Sequence, residues 1–452
     1  MTPRGMTRPG HVLVLGGGFA GLSCATALAE RGVRVTVVEA RRGLGGRAGS
    51  FVDEPSGEVV DNGQHLFMAC YRETRAFLRR IGTERLLKFQ KHLTVDYVSH
   101  GFRSRLRCPP IPAPWHLLSG ILTLKGPALA DRLALLRASP DLLRLRANGS
   151  GAGLSEVTVT QWLDRLGQTP GMRRWLWHPL AIATLNESPD IAPASLLASV
   201  LAEGFLTDAA GSALGVPTVG LSDLYGGPSK DFIETRGGLV RVDTPVVAVT
   251  TSQGRVAAVR TRDGETLEAD VFVSTLPPAA LARLDTPEAP FAPVPALDRF
   301  TSSPILSVNL WLDRPPEQTA PFDFAGVVGG RIQWVFNKAR ILAGRASHLA
   351  VVISAARDLV ARGNEELADM ALQDLRAHLP GAREARLERA MVVRERTATF
   401  SATVATEKLR PGQRTAYDNL LLAGDWTERG LPATIETAAR TGHRCAQMIH
   451  PA

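Results

Sequence analysis

The chain has 452 residues, of which 44% are hydrophobic, so it is long and apolar enough for two domains with a large buried core, and its composition excludes a disordered chain. A net charge of +8 favours an anionic contact such as a membrane, a nucleic acid or a diphosphate, although a solvated basic surface accounts for it equally well. The spacing of Cys24, Cys70, Cys108 and Cys445 matches neither a metal site nor a disulfide framework, which favours a reducing cytoplasm.

Two segments bear on membrane targeting. Met1 to Gly10 is short and polar, so we expect no signal peptide. The strongest later apolar run, Trp115 to Leu124, contains polar residues and is far shorter than the roughly 20 residues that span a bilayer. The sequence therefore predicts a cytoplasmic protein that is soluble or peripheral on the inner face of the membrane.

The first ninety residues alternate between strand and helix patterns. The run HVLVL from His11 predicts a strand, Ala20 to Arg31 a helix, Val33 to Glu39 a second strand and Tyr71 to Ile81 a second helix. This alternation predicts an α/β fold.

A glycine motif, G-x-G-x-x-G, lies between the first strand and the first helix. Gly16 permits a tight turn, Gly18 lets the backbone approach a pyrophosphate, and Gly21 allows close packing of helix on strand. Glu39 ends the second strand, where a carboxylate can accept hydrogen bonds from ribose hydroxyls. The combination predicts a Rossmann-like unit for an ADP-containing cofactor, which could be NAD or FAD.

Both ends of the chain favour FAD over NAD. Arg42-Gly43-Leu44-Gly45-Gly46-Arg47 offers flexible backbone and guanidinium groups for phosphate oxygens. Near the other end, LLLAGDW places Asp425 after a strand, and the last helix follows with its N-terminus able to stabilise negative charge on a flavin ring. Only one dinucleotide fingerprint occurs, which argues against a second, NAD(P)H-binding domain. The alternative for the C-terminal segment is an ordinary strand, loop and helix.

The middle of the chain changes character twice. Leu- and Arg-rich stretches predict helices with one apolar face, short strands then return with Asp263-Gly264 as a hairpin turn, and a helix is predicted around Glu365 to Leu379. The prediction is a discontinuous FAD-binding domain with an α+β substrate domain inserted. The FAD-binding segments are 10–100, 235–284 and 416–452, and the substrate segments are 101–234, mainly helical and facing substrate or membrane, and 285–415.

Four blocks of sequence carry a family resemblance. They are VVDNGQHLFMACYRETRAFLRRIG from Val59, WLWHPLAIATLNESPDIAPAS from Trp175, RERTATFSAT from Arg394 and AGDWTERGLPATIETAARTG from Ala423. Together they resemble the hydroxysqualene dehydroxylase family, squalene-associated flavoproteins of bacterial hopanoid pathways within the superfamily of amine oxidases and carotenoid desaturases.

The resemblance implies FAD as cofactor and replacement of the allylic hydroxyl of hydroxysqualene by hydride from reduced FAD, which gives squalene. The implied partners are an isoprenoid substrate, an external electron donor, a peripheral membrane contact and prenyl-transferring enzymes of the pathway, with no nucleic acid. The expected cofactor-binding residues are Gly16, Gly18, Phe19, Ala20, Gly21, Glu39, Ala40, Gly46, Arg47, Asn62, Gly63, Gln64, His65, Val246, Thr275, Gly424, Asp425, Trp426, Ala433, Thr434 and Ile435.

The departing water needs a proton donor, and two residues are candidates. His65 is the first, because imidazole titrates near neutrality and the resemblance places the DNGQH loop near the flavin. Glu436 is the second. Each also has a structural reading, His65 as a hydrogen-bonding loop residue and Glu436 as a first-turn carboxylate that complements a helix dipole.

Substrate contacts are expected from the middle block. Trp175, Trp177 and His178 could pack against a polyene or stabilise an allylic cation, with core packing as the alternative, and Asn186 is a weaker candidate. The segment from Arg103 to Arg146 could lie on a bilayer and admit substrate from the lipid, or could be an ordinary amphipathic surface.

Two other functions stay open at this point. A carotenoid or phytoene-type desaturase or an amine oxidase of the same superfamily would run in the opposite direction and take hydride from its substrate. A prenyl-binding escort protein without redox chemistry is the alternative of another class, but such proteins have lost the flavin-binding elements that are present here.

Overall fold

The computed structural model describes residues 9–148, 151, 153–284, 294, 296–315, 320–342 and 347–450. Most of the segment behind the expectation of no signal peptide, residues 1–8, lies outside the described residues.

The strands and the helices are each numbered in chain order. The strands are β1 His11–Leu15, β2 Arg34–Val38, β3 Ser50–Asp53, β4 Glu58–Asp61, β5 Phe67–Met68, β6 Leu87–Phe89, β7 Thr94–Ser99, β8 Phe102–Arg107, β9 Leu214–Pro217, β10 Leu239–Arg241, β11 Val246–Ser252, β12 Arg255–Thr261, β13 Thr266–Glu268, β14 Val271–Ser274, β15 Ser302–Leu312, β16 Phe324–Val327, β17 Trp334–Asn337, β18 His348–Ile353, β19 Leu387–Phe400 and β20 Leu420–Leu422. The helices are α1 Phe19–Glu30, α2 Arg72–Arg80, α3 Trp115–Thr123, α4 Leu129–Ala134, α5 Ser139–Asn148, α6 Val159–Arg165, α7 Pro170–Met172, α8 His178–Leu185, α9 Ala194–Leu201, α10 Gly227–Glu234, α11 Pro278–Leu281, α12 Lys338–Ile341, α13 Asn364–His378, α14 Val404–Leu409 and α15 Ile435–Ile449.

A parallel sheet brings both ends of the chain together. Its strand order is β10-β2-β1-β14-β20, and Val12 of β1 lies between Val35 of β2 and Val271 of β14. Helix α1 is almost entirely buried, and it packs against α15 so closely that a Cβ on Gly442 would lie 2.1 Å from the Ala20 carbonyl oxygen. The predicted α/β class is therefore confirmed, with the N-terminal and C-terminal segments sharing one core.

A second sheet forms the wall of the other half of the molecule. Its order is β19-β15-β18-β17-β16-β7-β8, antiparallel except where β16 pairs with β7. Because side chains alternate along a strand, one face of this sheet packs Val308 and Val351 against α13, while Tyr97 and Phe336 on the other face line a cavity. Strand β7 belongs to this sheet, although it lies within residues 10–100.

Helices between β8 and β10 close the cavity on the remaining side. Residues 173–177, 202–206 and 222–226 form π-helical turns within this region. The predicted hairpin is present, with Gly264 at φ +90° between the antiparallel strands β12 and β13. No helix of the described ranges is long and apolar enough to cross a bilayer.

Candidate functional site: a dinucleotide cradle that opens into an apolar cavity

One continuous cavity of about 680 Å³ runs from the turn between β1 and α1 into the helical region. At one end it is lined by glycines, Glu39, Arg47 and Asp425, and towards the other end by leucines and aromatic residues. A site that binds a large apolar ligand against a polar cofactor requires this division between its two ends.

The glycine turn is built by contacts that exclude side chains. A Cβ on Gly21 would lie 1.9 Å from the Gly16 carbonyl oxygen, so α1 can begin against β1 only with glycine at this position. At Gly18 the nearest atom to a Cβ would be the Gly46 Cα at 3.9 Å, and this residue lines the cavity. Gly21 therefore serves the packing of the fold, and Gly18 leaves room for a ligand.

Glu39 lies across the turn from these glycines. One of its carboxylate oxygens accepts a hydrogen bond from the Gly17 amide at 2.8 Å, and the other accepts from the Arg41 amide at 2.8 Å. Two backbone donors thus fix the carboxylate at the edge of the cavity, where the sequence predicts a ribose.

The segment around Arg47 is tied to the far end of the chain. The Arg47 guanidinium donates to the Asp425 carboxylate at 2.9 Å and to the Ala398 carbonyl at 2.9 Å. Asn62 donates to the Arg47 carbonyl at 2.7 Å and accepts from the Gly49 amide at 3.0 Å. Three distant segments are therefore held together along one side of the cavity.

The buried side chain of Tyr225 holds the segment around Arg47 in place. Its hydroxyl lies 2.6 Å from the Gly45 carbonyl oxygen and 2.7 Å from that of Ala48, and its ring stacks on Phe19 with centroids 4.0 Å apart. Tyr225 was not predicted as a site residue, because nothing near it in the sequence indicates a partner 180 residues away.

A buried arginine supports the loop before the last helix. The side chain of Arg410 is 0% exposed, and its guanidinium donates to the carbonyls of Asp425, Trp426 and Leu431 and to the Glu407 carboxylate. Glu407 in turn accepts from the Gly430 amide at 2.6 Å. This residue was also missed, since a lone arginine before a Pro-Gly pair resembles a surface loop.

His65 lines the cavity with its orientation fixed. Its Nδ1 lies 2.8 Å from the Gly63 carbonyl oxygen, which can only accept, so Nδ1 carries a proton and Nε2 of the neutral ring is an acceptor. Burial lowers the pKa of the His65 imidazole below its ordinary value. At neutral pH the ring is therefore mainly neutral, and it is a proton donor only in its minority charged form.

The side chain of Glu436 faces α2 and not the cavity. Its carboxylate accepts hydrogen bonds from the Glu73 and Thr74 amides at 3.0 and 2.9 Å, so it caps the N-terminus of α2. Burial raises the pKa of this carboxyl, and the two amide bonds oppose that shift. The structure thus brings only His65, of the two candidate acids, to the cavity surface.

Most of the predicted cofactor and substrate residues line the cavity, and the others do not. Trp177 and Asn186 line the wall, and the Asn186 amide is held by the Ser303 carbonyl and the Thr399 hydroxyl at 3.0 Å each. The cavity surface also carries two phenols, Tyr71 and Tyr97, whose pKa values burial raises. The predicted residues outside the lining are Gly21, Val246, Trp426, Trp175, His178 and Glu436.

Comparison with known proteins identifies the class to which this fold and site belong. The description "Flavin containing amine oxidoreductase" matches residues 19–450. A solved structure of a putrescine oxidase triple mutant superposes with a TM-score of 0.74 at 17% identity, over 97% of this chain and 98% of that one. The chain therefore belongs to the flavin-containing amine oxidoreductase family, and it is an FAD-dependent oxidoreductase.

Two relatives of the chain are named for a reaction and its compound. Hydroxysqualene dehydroxylase of Rhodopseudomonas palustris is 32% identical over 97% of this chain and 98% of its own. A 15-cis-phytoene desaturase of Synechococcus elongatus is 25% identical over 97% of this chain and 95% of its own. The resemblance stated from the four sequence blocks is confirmed.

The residues present fit the FAD that the family uses. Gly18 leaves space that would admit a pyrophosphate, Glu39 offers a fixed carboxylate that would accept hydrogen bonds from a ribose, and the N-terminus of α15 at Ile435 lines the same cavity. The prediction of FAD, which the glycine motif alone could not separate from NAD, is confirmed.

Proposed function

We propose that the protein removes the hydroxyl group of a long isoprenoid alcohol of the hydroxysqualene type and leaves the hydrocarbon. The observation that carries this proposal is the single cavity in which the dinucleotide cradle continues into an apolar chamber. A C30 chain is almost wholly apolar, and its burial there is favourable, at about 25 cal/mol per Å² of apolar surface.

The reaction requires that one C–O bond breaks and one C–H bond forms. Reduced FAD, held by the glycine turn and the Glu39 carboxylate, would supply the hydride. The oxygen leaves as water once it takes up a proton, and the apolar walls exclude competing water from the allylic centre. Electrons reach the site from an external donor, and prenyl-transferring enzymes supply the alcohol.

The relatives leave a second candidate, a desaturase that takes hydride from a polyene. The two are separated by anaerobic incubation of the purified holoenzyme, with its flavin chemically reduced, with hydroxysqualene. Formation of squalene and reoxidation of the flavin support the proposal. Unchanged hydroxysqualene, together with oxidation of a phytoene-like polyene or an amine by the oxidised enzyme, would contradict it.

His65 is the group within the cavity to which we assign the proton for the departing oxygen. Since burial lowers its pKa below 6.5, the charged donor form increases as pH falls, and kcat/KM should rise as pH falls through that lowered pKa. His65→Gln should remove this dependence and lower kcat about 100-fold. The measurement is the pH profile of squalene formation.

A matched control separates catalysis from stability. Because the pKa of His65 is lower in the folded than in the unfolded protein, the folded state loses stability as pH falls below 6.5, so unfolding must be followed at each pH. His92→Gln, outside the cavity lining, should keep the wild-type profile. An unchanged profile in His65→Gln would assign the proton to another group.

The helical segment from Ile111 to Asn148 supports contact with an anionic bilayer. Six apolar side chains on it are exposed: Ile111, Trp115, Leu129, Leu133, Leu136 and Leu143. Trp115 is 58% exposed, Leu143 is 51% exposed, and both also line the cavity, so they stand at its mouth. The same segment has five basic and two acidic residues. We propose that this mouth rests on anionic lipid and admits substrate from it.

Vesicle flotation tests this contact. The holoenzyme should float with phosphatidylglycerol-containing vesicles and much less with neutral ones, and Trp115→Ser with Leu129→Ser and Leu133→Ser should reduce flotation about tenfold. Phe51→Ser with Val52→Ser removes exposed apolar side chains of β3 and is the control. Wild-type protein that stays unbound, or equal loss in the control, would refute the contact.

A further inference from the structure

Lys338 and Asp61 form an ion pair in the interior of the protein. Their side chains are 2% and 1% exposed, and Nζ of Lys338 lies 2.6 Å from a carboxylate oxygen of Asp61. The other oxygen of Asp61 accepts from the Leu221 amide at 3.1 Å. Burying two charges carries a desolvation cost that the pair itself often does not recover, so a pair of this kind calls for a further role.

The pair also holds the side chain of Gln64, which lines the cavity. Nζ of Lys338 donates to the amide oxygen of Gln64 at 3.1 Å, and the amide nitrogen of Gln64 donates to Asp61 at 3.0 Å. An ammonium can only donate and a carboxylate can only accept, so the amide of Gln64 has one permitted orientation. In the reversed orientation the amide N–H groups would face the Lys338 ammonium and the amide oxygen would face the Asp61 carboxylate, so neither contact could be a hydrogen bond.

The fixed amide retains one hydrogen. Its oxygen is occupied by Lys338, and one of its two N–H groups is occupied by Asp61. The second N–H belongs to a residue that lines the cavity. The adjacent ammonium polarises the amide and strengthens this N–H as a donor.

We propose that Lys338 and Asp61 are positioning residues that hold the Gln64 amide so that it donates a hydrogen bond to the hydroxyl oxygen of the bound isoprenoid alcohol. This rests on the proposed function for the class of ligand. Gln64 then distinguishes the alcohol from a hydrocarbon of the same length, while Lys338 acts only through Gln64.

Binding rather than turnover is the primary test. Hydroxysqualene and squalene are titrated into the oxidised holoenzyme, and each dissociation constant is read from the change in flavin absorbance. Wild type should prefer the alcohol by about five- to tenfold, the effect of one hydrogen bond. Gln64→Leu and Lys338→Met should each lose this preference and bind squalene as wild type does.

The double variant provides the sharpest readout. If Lys338 acts through Gln64, then Lys338→Met should change the preference no further in a Gln64→Leu background. Lys408→Met removes an ammonium from a pair with Glu156 that is 57% and 64% exposed, and it should keep the full preference. Additive effects of the two substitutions would overturn the proposal.

Loss of the fold is a separate outcome, because Lys338→Met leaves Asp61 buried and unpaired. Asp61→Asn combined with Lys338→Met removes both charges and keeps the packing, and it replaces the single variant if that does not fold. Retention of the alcohol preference in this variant, or in Gln64→Leu, would overturn the proposal. The phenols of Tyr71 and Tyr97 would then be the next candidate donors to the hydroxyl oxygen.

The test also separates this inference from the proposed function. A wild-type enzyme that forms no squalene yet prefers the alcohol, and loses that preference in Lys338→Met, would refute the function and support the positioning role. An enzyme that forms squalene but binds the alcohol and the hydrocarbon equally would support the proposed function and refute the positioning role.

Discussion

Arg410→Met is expected to lower the free energy of unfolding by about 3–5 kcal/mol and to yield protein that loses its flavin on purification. The buried guanidinium is the partner of three carbonyls in the loop at 425–431, and its removal also leaves the Glu407 carboxylate without its cation. That loop carries Asp425, to which Arg47 is bound. Urea unfolding followed by circular dichroism, and the ratio of flavin to protein absorbance, measure the two effects.

A neighbouring arginine supplies the control for this substitution. Arg429 donates to the carbonyls of Arg410 and Lys408 from an exposed position, so Arg429→Met should cost less than about 1 kcal/mol. Adding Glu407→Gln to Arg410→Met removes the unpaired charge and should recover part of the stability. Wild-type stability in Arg410→Met would show that the loop is held by other contacts.

The parts of the fold that could be predicted are those in which local sequence and local structure agree. The unit of β1, α1 and β2 was predicted because strand patterns, glycines and a terminal carboxylate all occur within 30 residues. Predicted and observed bounds differ there by a residue or so, since β2 runs from Arg34 to Val38 and the prediction also included Val33 and Glu39.

The contacts that complete the site could not be predicted because they join residues far apart in the chain. Lys338 and Asp61 are separated by 277 positions, and Arg47 and Asp425 by 378. Lys338 carries no local sign of burial, since a lysine at the start of a short helix is ordinarily exposed. The folded chain brings Lys338, the first residue of α12, into contact with Asp61 and Gln64 of the DNGQH segment.

Glu436 shows how one sequence position admits opposite readings. The first turn of α15 does lie at the cavity, since Ile435 lines it, but adjacent residues on a helix point about 100° apart. Glu436 therefore faces α2 and caps its N-terminus, whereas the structural interpretation weighed from the sequence paired it with the dipole of its own helix. The contact depends on the placement of α2, which the sequence around Glu436 does not encode.

The two glycines of the opening turn should separate cofactor binding from folding. Gly18 has φ −88° and ψ −173°, which alanine adopts without strain, and its added methyl would meet no protein atom closer than 3.9 Å. Gly18→Ala should therefore fold with a change in stability under about 1 kcal/mol. The methyl group would occupy the space of the pyrophosphate and weaken FAD binding about ten- to hundredfold.

Gly21→Ala should behave in the opposite way. An alanine inside a helix ordinarily adds about 0.5–1 kcal/mol of stability, but here its Cβ would lie 1.9 Å from the Gly16 carbonyl oxygen, which belongs to the backbone and cannot rotate aside. We expect a loss of about 4 kcal/mol or more, or insoluble protein. FAD titration of the apoprotein and its urea unfolding compare the two variants. Normal FAD affinity in Gly18→Ala would mean that the pyrophosphate lies away from this turn, and a stable Gly21→Ala would mean that α1 can shift from β1 without disrupting the parallel sheet.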